Sequence, residues 1–506
     1  MALEMIAKNG EFNKVKRDIK FLGSKLFGEQ EQSSFAAISL DVNPMHVDKE
    51  YARRLITGHR VVHGIHILLH ALEFFFHTGA YCVVDISCTF KNPLSVGETA
   101  EFFEVDHQTD QCLIEVRCGG LLCAAISLGL HEDDGNTKLP ASCLSTTPKI
   151  SETTRYSPST PLELSPSVYL NKWISVPLSG QGLESCFPLV VQHLKSKHAA
   201  GLCALSFFVG MICPGLHSLF GSLKVKIERA DEGSNDLHFS VKKYHERFGL
   251  VDIAVAGCLS GKIEAFARPK PFQQMTVAEV MAYVDAAEFS GSTALIVGGS
   301  RGLGELTGKI LASGGCHTII TYAQGFQDAQ AICNEINQNS PGSCETMKLD
   351  VTKDAFDDPS LGLEYRGIDV IFYFATSRIS RKKAGAFDQN LFDEFVEIYV
   401  RKLHDMYLFF DRVANKTVKV FVPSSVFVES RPHGMTEYAM AKSAAEVLIT
   451  DLNKVSQKVS ISSSRLPRLG TDQTAALVSD SMASGVDTLL PIIRSLLEKS
   501  HELPSK

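Results

Sequence analysis

No two of the thirteen cysteines stand in a Cys-x-x-Cys spacing, no dense stripe of lysine or arginine breaks a net charge of −7, and no apolar run approaches a membrane span. Scattered cysteines fit neither a zinc site nor a disulfide framework, so they read as reduced, mostly buried thiols. Without a basic stripe, a nucleic-acid partner has no electrostatic basis. The longest apolar segments, such as Leu121 to Leu130, fall well short of the ~20 residues that cross a bilayer. Met1 to Glu11 carries no long apolar core of a secretory leader. These absences predict a cytoplasmic protein with no membrane and no metal.

What is present describes an ordinary globular chain: 44% apolar and 21% charged residues over 506 positions, enough for about three domains at ~100–200 residues each. Within it, Phe35-Ala-Ala-Ile-Ser-Leu-Asp41-Val-Asn-Pro-Met-His46 puts a carboxylate, an amide and an imidazole on one polar turn after an apolar run. A carboxylate and a His five positions apart can share one water, one group polarising it while the other exchanges a proton with a substrate carbon. The same residues would serve equally as an Asx turn capping the following helix.

Phe35, Ser39, Asp41, Asn43, Pro44, His46 and Ala52 resemble the signature of the MaoC-like (R)-specific enoyl-thioester hydratases, with Leu40 where that family usually has glycine. The resemblance implies that Asp41 and His46 are the catalytic pair, that Asn43 binds substrate, and that the Gly64 amide is an oxyanion donor. It also implies an α+β hotdog fold: a buried helix from Gly64 wrapped by antiparallel strands at Tyr81–Phe90, Thr99–Val105, Cys112–Arg117 and Leu121–Leu130. His63, His66 and His70 share a helix face and could be mistaken for metal ligands. They read instead as lining the core or the mouth of the site.

Residues 1–131 are thus expected to form this hotdog domain. Residues 132–168, rich in Ser, Thr and Pro, read as a linker or surface strap. Residues 169–272 repeat the grammar weakly, with a helix opened by Gly215 and strands from Leu223, Leu237, Leu250 and Gly261. They look like a second, degenerate hotdog that lacks the dyad and walls the substrate tunnel. After Pro269-Lys-Pro-Phe, Thr276 with Glu279 reads as a capping box for a helix to Glu288.

From 273 to 506 strands alternate with helices, the pattern of an α/β Rossmann-type doubly wound parallel sheet. Ala294-Leu-Ile-Val is a strand, and Gly298-Gly-Ser-Arg-Gly302-Leu-Gly304 leads from it into a helix. Glycines there let backbone approach a pyrophosphate at the helix N-terminus. The second strand ends at Thr321-Tyr322 without the Asp or Glu that binds a free ribose 2′-hydroxyl, and Arg301 adds positive charge, so NADP(H) is favoured.

Residues 293–480 resemble the short-chain dehydrogenase/reductase family: the glycine motif, Leu349-Asp350-Val351, Phe374-Ala375-Thr376 in place of Asn-Ala-Gly, and Ser425 thirteen residues before Tyr438-Ala-Met-Ala-Lys442. The spacing puts Tyr438 and Lys442 one helical turn apart, where the ammonium would lower the phenol pKa. The resemblance implies that Tyr438 is the general acid, that Ser425 holds the carbonyl oxygen, and that Lys442 reaches the nicotinamide ribose. It places the cofactor against Gly298, Ser300, Arg301, Gly302, Leu303, Gly304, Thr321, Tyr322, Asp350, Val351 and Ala375, with Tyr438 and Lys442. Two positions depart from the family: Tyr399 stands where an asparagine is usual, and Arg468 where a glycine follows proline.

The two sites share an intermediate. A reductase making an (R)-3-hydroxyacyl thioester from a 3-oxoacyl thioester feeds an (R)-specific dehydratase. The chain therefore reads as a bifunctional enzyme acting on acyl-CoA or acyl carrier protein thioesters, in either direction. Other arrangements fit the same motifs: a reductase for an unrelated ketone in glycan or polyketide tailoring, or a non-catalytic cofactor-sensing module beside an active dehydratase. Both families commonly self-associate, which implies a homo-oligomer.

Overall fold

The structure, a computed structural model, describes residues 19–131, 153–228, 235–363, 366–381, 383, 385–474 and 482–498. They fall into two compact units. One holds the chain to Lys49 and then His59–Arg268; the other holds Glu50–Gly58 and the chain from Pro269.

The first unit is built on strands β1 (Lys20–Leu26), β2 (Cys82–Phe90), β3 (Thr99–His107), β4 (Gln111–Cys118), β5 (Leu121–His131), β6 (Thr153–Arg155), β7 (Trp173–Pro177), β8 (Ser218–Ile227), β9 (Asp236–His245), β10 (Leu250–Ala256) and β11 (Leu259–Ala267). Period-two patterning gives each core strand one buried face, as in β5, where Ile126, Leu128 and Leu130 point inward. All join one sheet in the order β1-β3-β4-β5-β2-β8-β11-β10-β9-β7-β6.

That order contains a repeat. Read inward from β1, the strands come first, third, fourth, fifth, second. Read inward from β7, β7-β9-β10-β11-β8 gives the same sequence, and the halves meet where β2 pairs antiparallel with β8, Ile86 opposite Val225 and Cys88 opposite Leu223. Each half has a buried helix, Gly64–Phe76 in the first and Ser196–Phe207 in the second, and both halves share one hydrophobic core.

The second half's helix is not the one expected from Gly215. It precedes that glycine, continues through a π turn at Phe208–Ile212, and leaves Gly215 only a short 3₁₀ turn to His217. Pro214 supplies the reason: it lacks an N–H and holds Cys213 extended (φ −150, ψ 116), which ends the helix before the glycine. Sequence patterning also missed β1 and β7. Of the Ser/Thr/Pro-rich segment, 132–152 lies outside the described residues. The rest is tied down by exposed β6 beside β7 and by Leu162, which pairs its backbone with Met211 and Leu216.

Among the described residues the second unit has six parallel strands, β12 (Thr293–Val297), β13 (His317–Tyr322), β14 (Ser343–Lys348), β15 (Val370–Tyr373), β16 (Val418–Ser425) and β17 (Val459–Leu466), ordered β14-β13-β12-β15-β16-β17. Two cores cover its faces: Leu295, Val297, Ile371 and Tyr373 point into one, and Ala294, Ile296, Val370 and Phe372 into the other. Strand order reverses between β12 and β15, the crevice where such sheets bind ligands.

Two expectations need correction in this unit. The Thr276 capping box is present, but its helix stops at Val280. Glu288 accepts from the Asp285 amide, and such side-chain bonds to backbone compete with helix continuation. Cys333 and Cys344 are disulfide-bonded rather than reduced, because the helix Phe326–Asn339 packs on β14 and brings their Cα atoms to 5.1 Å.

Candidate active sites

In the first unit, helix Glu29–Ser39 ends at Leu40, whose backbone is left-handed (φ 59). The reversal leaves Leu40 exposed and drops Asp41 into the core, 2% exposed. Asn43 then caps the one-turn helix Pro44–Val47, accepting from the Met45 amide at 3.1 Å, and that turn aims His46 back at Asp41. Side-chain ligand atoms of Asp41, His46 and His63 lie within 4.8 Å of one another.

Hydrogen bonds fix the protonation pattern. His46 Nδ1 faces the Val61 carbonyl at 2.7 Å; a carbonyl only accepts, so Nδ1 carries the hydrogen and Nε2 keeps its lone pair. His63 donates from Nε2 to the Asp41 carbonyl at 2.9 Å and accepts at Nδ1 from Gln32 Nε2 at 3.1 Å. Both of its nitrogens are occupied, and its ring stacks on His46 with centroids 3.8 Å apart. Burial, helped by His63, lowers the His46 pKa to about 3, so the imidazole is neutral at neutral pH. Burial raises the Asp41 carboxyl, against the pull of His46, Ser206 and the Asn43 amide. A neutral imidazole beside a carboxyl biased toward its acid form is suited to moving one proton each way.

The second half reaches this site directly. Ser206, on the Ser196–Phe207 helix, donates to Asp41 Oδ2 at 2.8 Å. Gly210, in the π turn, lies so close that a Cβ there would collide with the Asp41 carboxyl. Sequence reading missed Ser206 and Gln32; neither carries a local signal, since each matters only through a partner far along the chain. Asn43 clamps the turn: its Nδ2 donates to the carbonyls of Gly210 (2.8 Å) and Gly215 (3.0 Å), and its Oδ1 caps Met45.

Gly64 opens the Gly64–Phe76 helix, and His63 at its N-cap makes no side-chain cap, so the first-turn amides are free to meet an anion. A Cβ at Gly64 would stand 2.7 Å from the Phe90 ring.

In the second unit the glycine loop turns between β12 and the helix Gly302–Ser313. Gly298 has φ +83, and a Cβ on it would stand 2.9 Å from the Ala375 amide nitrogen; a Cβ on Gly304 would collide with the Gly298 carbonyl. Arg301 occupies the N-cap without capping the helix, which leaves the first amides open for phosphate. The cradle therefore fits a dinucleotide. Thr321 braces it from behind, buried and accepting from the Gly298 amide at 3.0 Å, so its side chain is corrected to a support for the loop. Asp350 caps its own turn through Thr352 and pairs with Lys353 at 3.1 Å. Val351 and Ser300 are buried, and Tyr322 rests against Phe326.

Ser425 ends β16 and hydrogen-bonds Tyr438, which sits in the first turn of the helix Thr436–Val455. Lys442, one turn on, is buried, donates to the Pro423 carbonyl at 2.7 Å and stands 3.8 Å from the Tyr399 ring centroid. The three residues are brought together, but the expected lowering of the phenol pKa is not found. Burial pushes Tyr438 up to about 12, opposed by Ser425, and Lys442 is turned to Pro423 and Tyr399. Burial lowers Lys442 itself to about 7, with Glu446 opposing. Tyr399 lies in a π turn, Glu397–Arg401, a helix irregularity common at functional sites, and bonds Thr376.

Residues 11–113 match the MaoC-like domain and residues 292–480 the short-chain dehydrogenase. The chain is a MaoC-like domain fused to a short-chain dehydrogenase domain. Over 91 residues the fusion is 37% identical to the uncharacterized oxidoreductase YuxG of Bacillus subtilis (strain 168), a match covering 17% of this chain and 13% of that protein. Similar solved structures include a short-chain dehydrogenase from Burkholderia cenocepacia J2315 in complex with NADP (20% identity, 41% of this chain and 91% of that one, TM-score 0.36). A 3-oxoacyl (acyl-carrier-protein) reductase from Agrobacterium tumefaciens C58 with NADP bound is another (21%, 37% and 74%, TM-score 0.33). No helix among the described residues of the fusion is long and apolar enough to cross a membrane.

Proposed function

We propose that the fusion reduces a 3-oxoacyl thioester with NADPH to the (R)-3-hydroxyacyl thioester and dehydrates that to the trans-2-enoyl thioester, or runs the pair in reverse. The observation that carries this reading is the joint presence of His46 against a buried Asp41 and of Tyr438 beside Ser425 and Lys442. These chemistries meet in one intermediate.

For reduction, a bound reduced nicotinamide dinucleotide supplies hydride to C3. Ser425 orients the ketone oxygen, Tyr438 gives its proton to that oxygen as charge develops, and Lys442 stabilises the resulting phenolate. For dehydration, His46 Nε2 takes the C2 proton and the Gly64 amide holds the thioester oxygen. The C3–O bond breaks, and Asp41 protonates the departing hydroxyl to release water. The proton on His46 then returns to Asp41, which offers a carboxylate oxygen within 4.8 Å of the imidazole. Arg301 and the absence of an acid at Tyr322 support NADP(H).

A cofactor-sensing module beside an active dehydratase is a second reading, favoured by Tyr399 standing over Lys442. Incubating the protein with NADPH and acetoacetyl thioesters of coenzyme A and of acyl carrier protein separates the two. The bifunctional reading predicts NADPH oxidation with hydroxyacyl and enoyl products by mass. Absence of NADPH consumption with every 3-oxoacyl thioester would contradict it.

A further inference from the structure

Residues Glu50–Gly58 lie between the dyad turn and Val61 in sequence, yet belong to the dehydrogenase unit. They carry Arg53 and Arg54 to the outer end of the dinucleotide groove. Arg53 lies against Gly325, just past the end of β13, so closely that a Cβ on that glycine would collide with its guanidinium. Arg301, from the glycine loop, donates to the Arg53 carbonyl, and its guanidinium is 3.8 Å from Asp472. Arg54 reaches Asp472 at 3.4 Å and Asp328 at 3.6 Å, and Arg53 also pairs with Asp328 and with Glu50 at 3.2 Å.

Three guanidinium groups therefore converge where the ribose of a dinucleotide is read, at the end of the second strand. Their pairing is incomplete. The Nε atoms of Arg53 and Arg54 are buried with no hydrogen-bond partner, although each is within ion-pair distance of an acid. Burial, and next the charge of Arg301, lowers Arg53 to about 10. Guanidinium forks match phosphate oxygens in pairs, and Arg is the side chain suited to such recognition.

We propose that Arg53 and Arg54 form, with Arg301, the 2′-phosphate site of the dehydrogenase domain, and that Asp328 is the counter-ion the phosphate displaces. Cofactor choice would then be made by a segment encoded in the middle of the MaoC-like region. The proposal rests on the nucleotide-binding reading of the groove.

Calorimetric titration of the full-length protein with adenosine 2′,5′-bisphosphate and with 5′-AMP tests it, without reference to catalysis. The wild type should bind the bisphosphate at least ~10-fold tighter than AMP, the scale of one good charge-assisted pair. Arg53→Gln and Arg54→Gln should each erase most of that preference while AMP affinity stays within about twofold, which also reports that the groove is folded. Asp328→Asn should move the other way, tightening the bisphosphate alone by about threefold or more, a gain that misfolding does not produce. A preference retained in both Arg variants, or equal weakening of both nucleotides, would overturn the proposal and leave the groove reading intact. Failure of the wild type to bind either nucleotide would overturn both.

Discussion

Ser206 donates its hydroxyl to Asp41 across 165 residues of chain, at 2.8 Å, with both residues buried. The half of the first unit that lacks the Asp41–His46 pair thus supplies a hydrogen bond to it. Hydrogen bonds to charged or acidic groups contribute ~1.5–3 kcal/mol, so Ser206→Ala should lower hydration of an enoyl thioester by about 10–100-fold. Steady-state kinetics on crotonyl-CoA would show it, with NADPH-linked activity unchanged; an unaffected hydration rate would remove Ser206 from the site.

The two centres should also fail independently. Tyr438→Phe removes the only transferable proton of the phenol and should abolish ketone reduction while hydration continues. His46→Ala should do the opposite, and loss of both activities in either variant would argue against separate sites.

Buried histidines make the MaoC-like unit acid-labile. Burial lowers His46 to about 3 and His63 and His70 to about 4. Below the unfolded value near 6.5 the unfolded chain therefore binds protons that the folded chain refuses, and stability falls as pH falls from there toward 4. Each such histidine costs about 1.4 kcal/mol per pH unit within that window. Urea midpoints between pH 7 and 5, followed by Trp173 fluorescence, should drop steeply, and His70→Leu should flatten the slope.

Lys442 predicts a limit in the opposite direction. Burial lowers its ammonium to about 7, so the charge that the proposed reduction uses to stabilise a Tyr438 phenolate is lost as pH rises through neutrality. Reduction should decline above about pH 7. Lys442→Arg stays charged, and its pH profile should lose that alkaline limb even if its rate is lower.

Much of this was legible in the chain because the signals are local. Asp41 to His46, the glycine loop, and Tyr438 with Lys442 each lie within one short local segment, where spacing fixes geometry. What was not legible depends on contacts made by the fold: Ser206 on Asp41, Gln32 on His63, the clamping of Asn43, and the transfer of Arg53 and Arg54 to the other unit. Leu40 lies between these cases. The family's usual glycine there corresponds to a left-handed backbone that leucine occupies under strain. Relief of ~1–2 kcal/mol less the extra unfolded entropy of glycine gives Leu40→Gly about 0.5–1 kcal/mol of added stability, readable as a rise in Tm.

The shared intermediate is the core of the account, and stereochemistry tests it most directly. With NADP+ present, (R)-3-hydroxybutyryl and (S)-3-hydroxybutyryl thioesters would be supplied separately, and NADPH and enoyl thioester measured in each. The account predicts that the (R) form yields both products and the (S) form neither. Opposite stereochemical preferences at the two sites would contradict it.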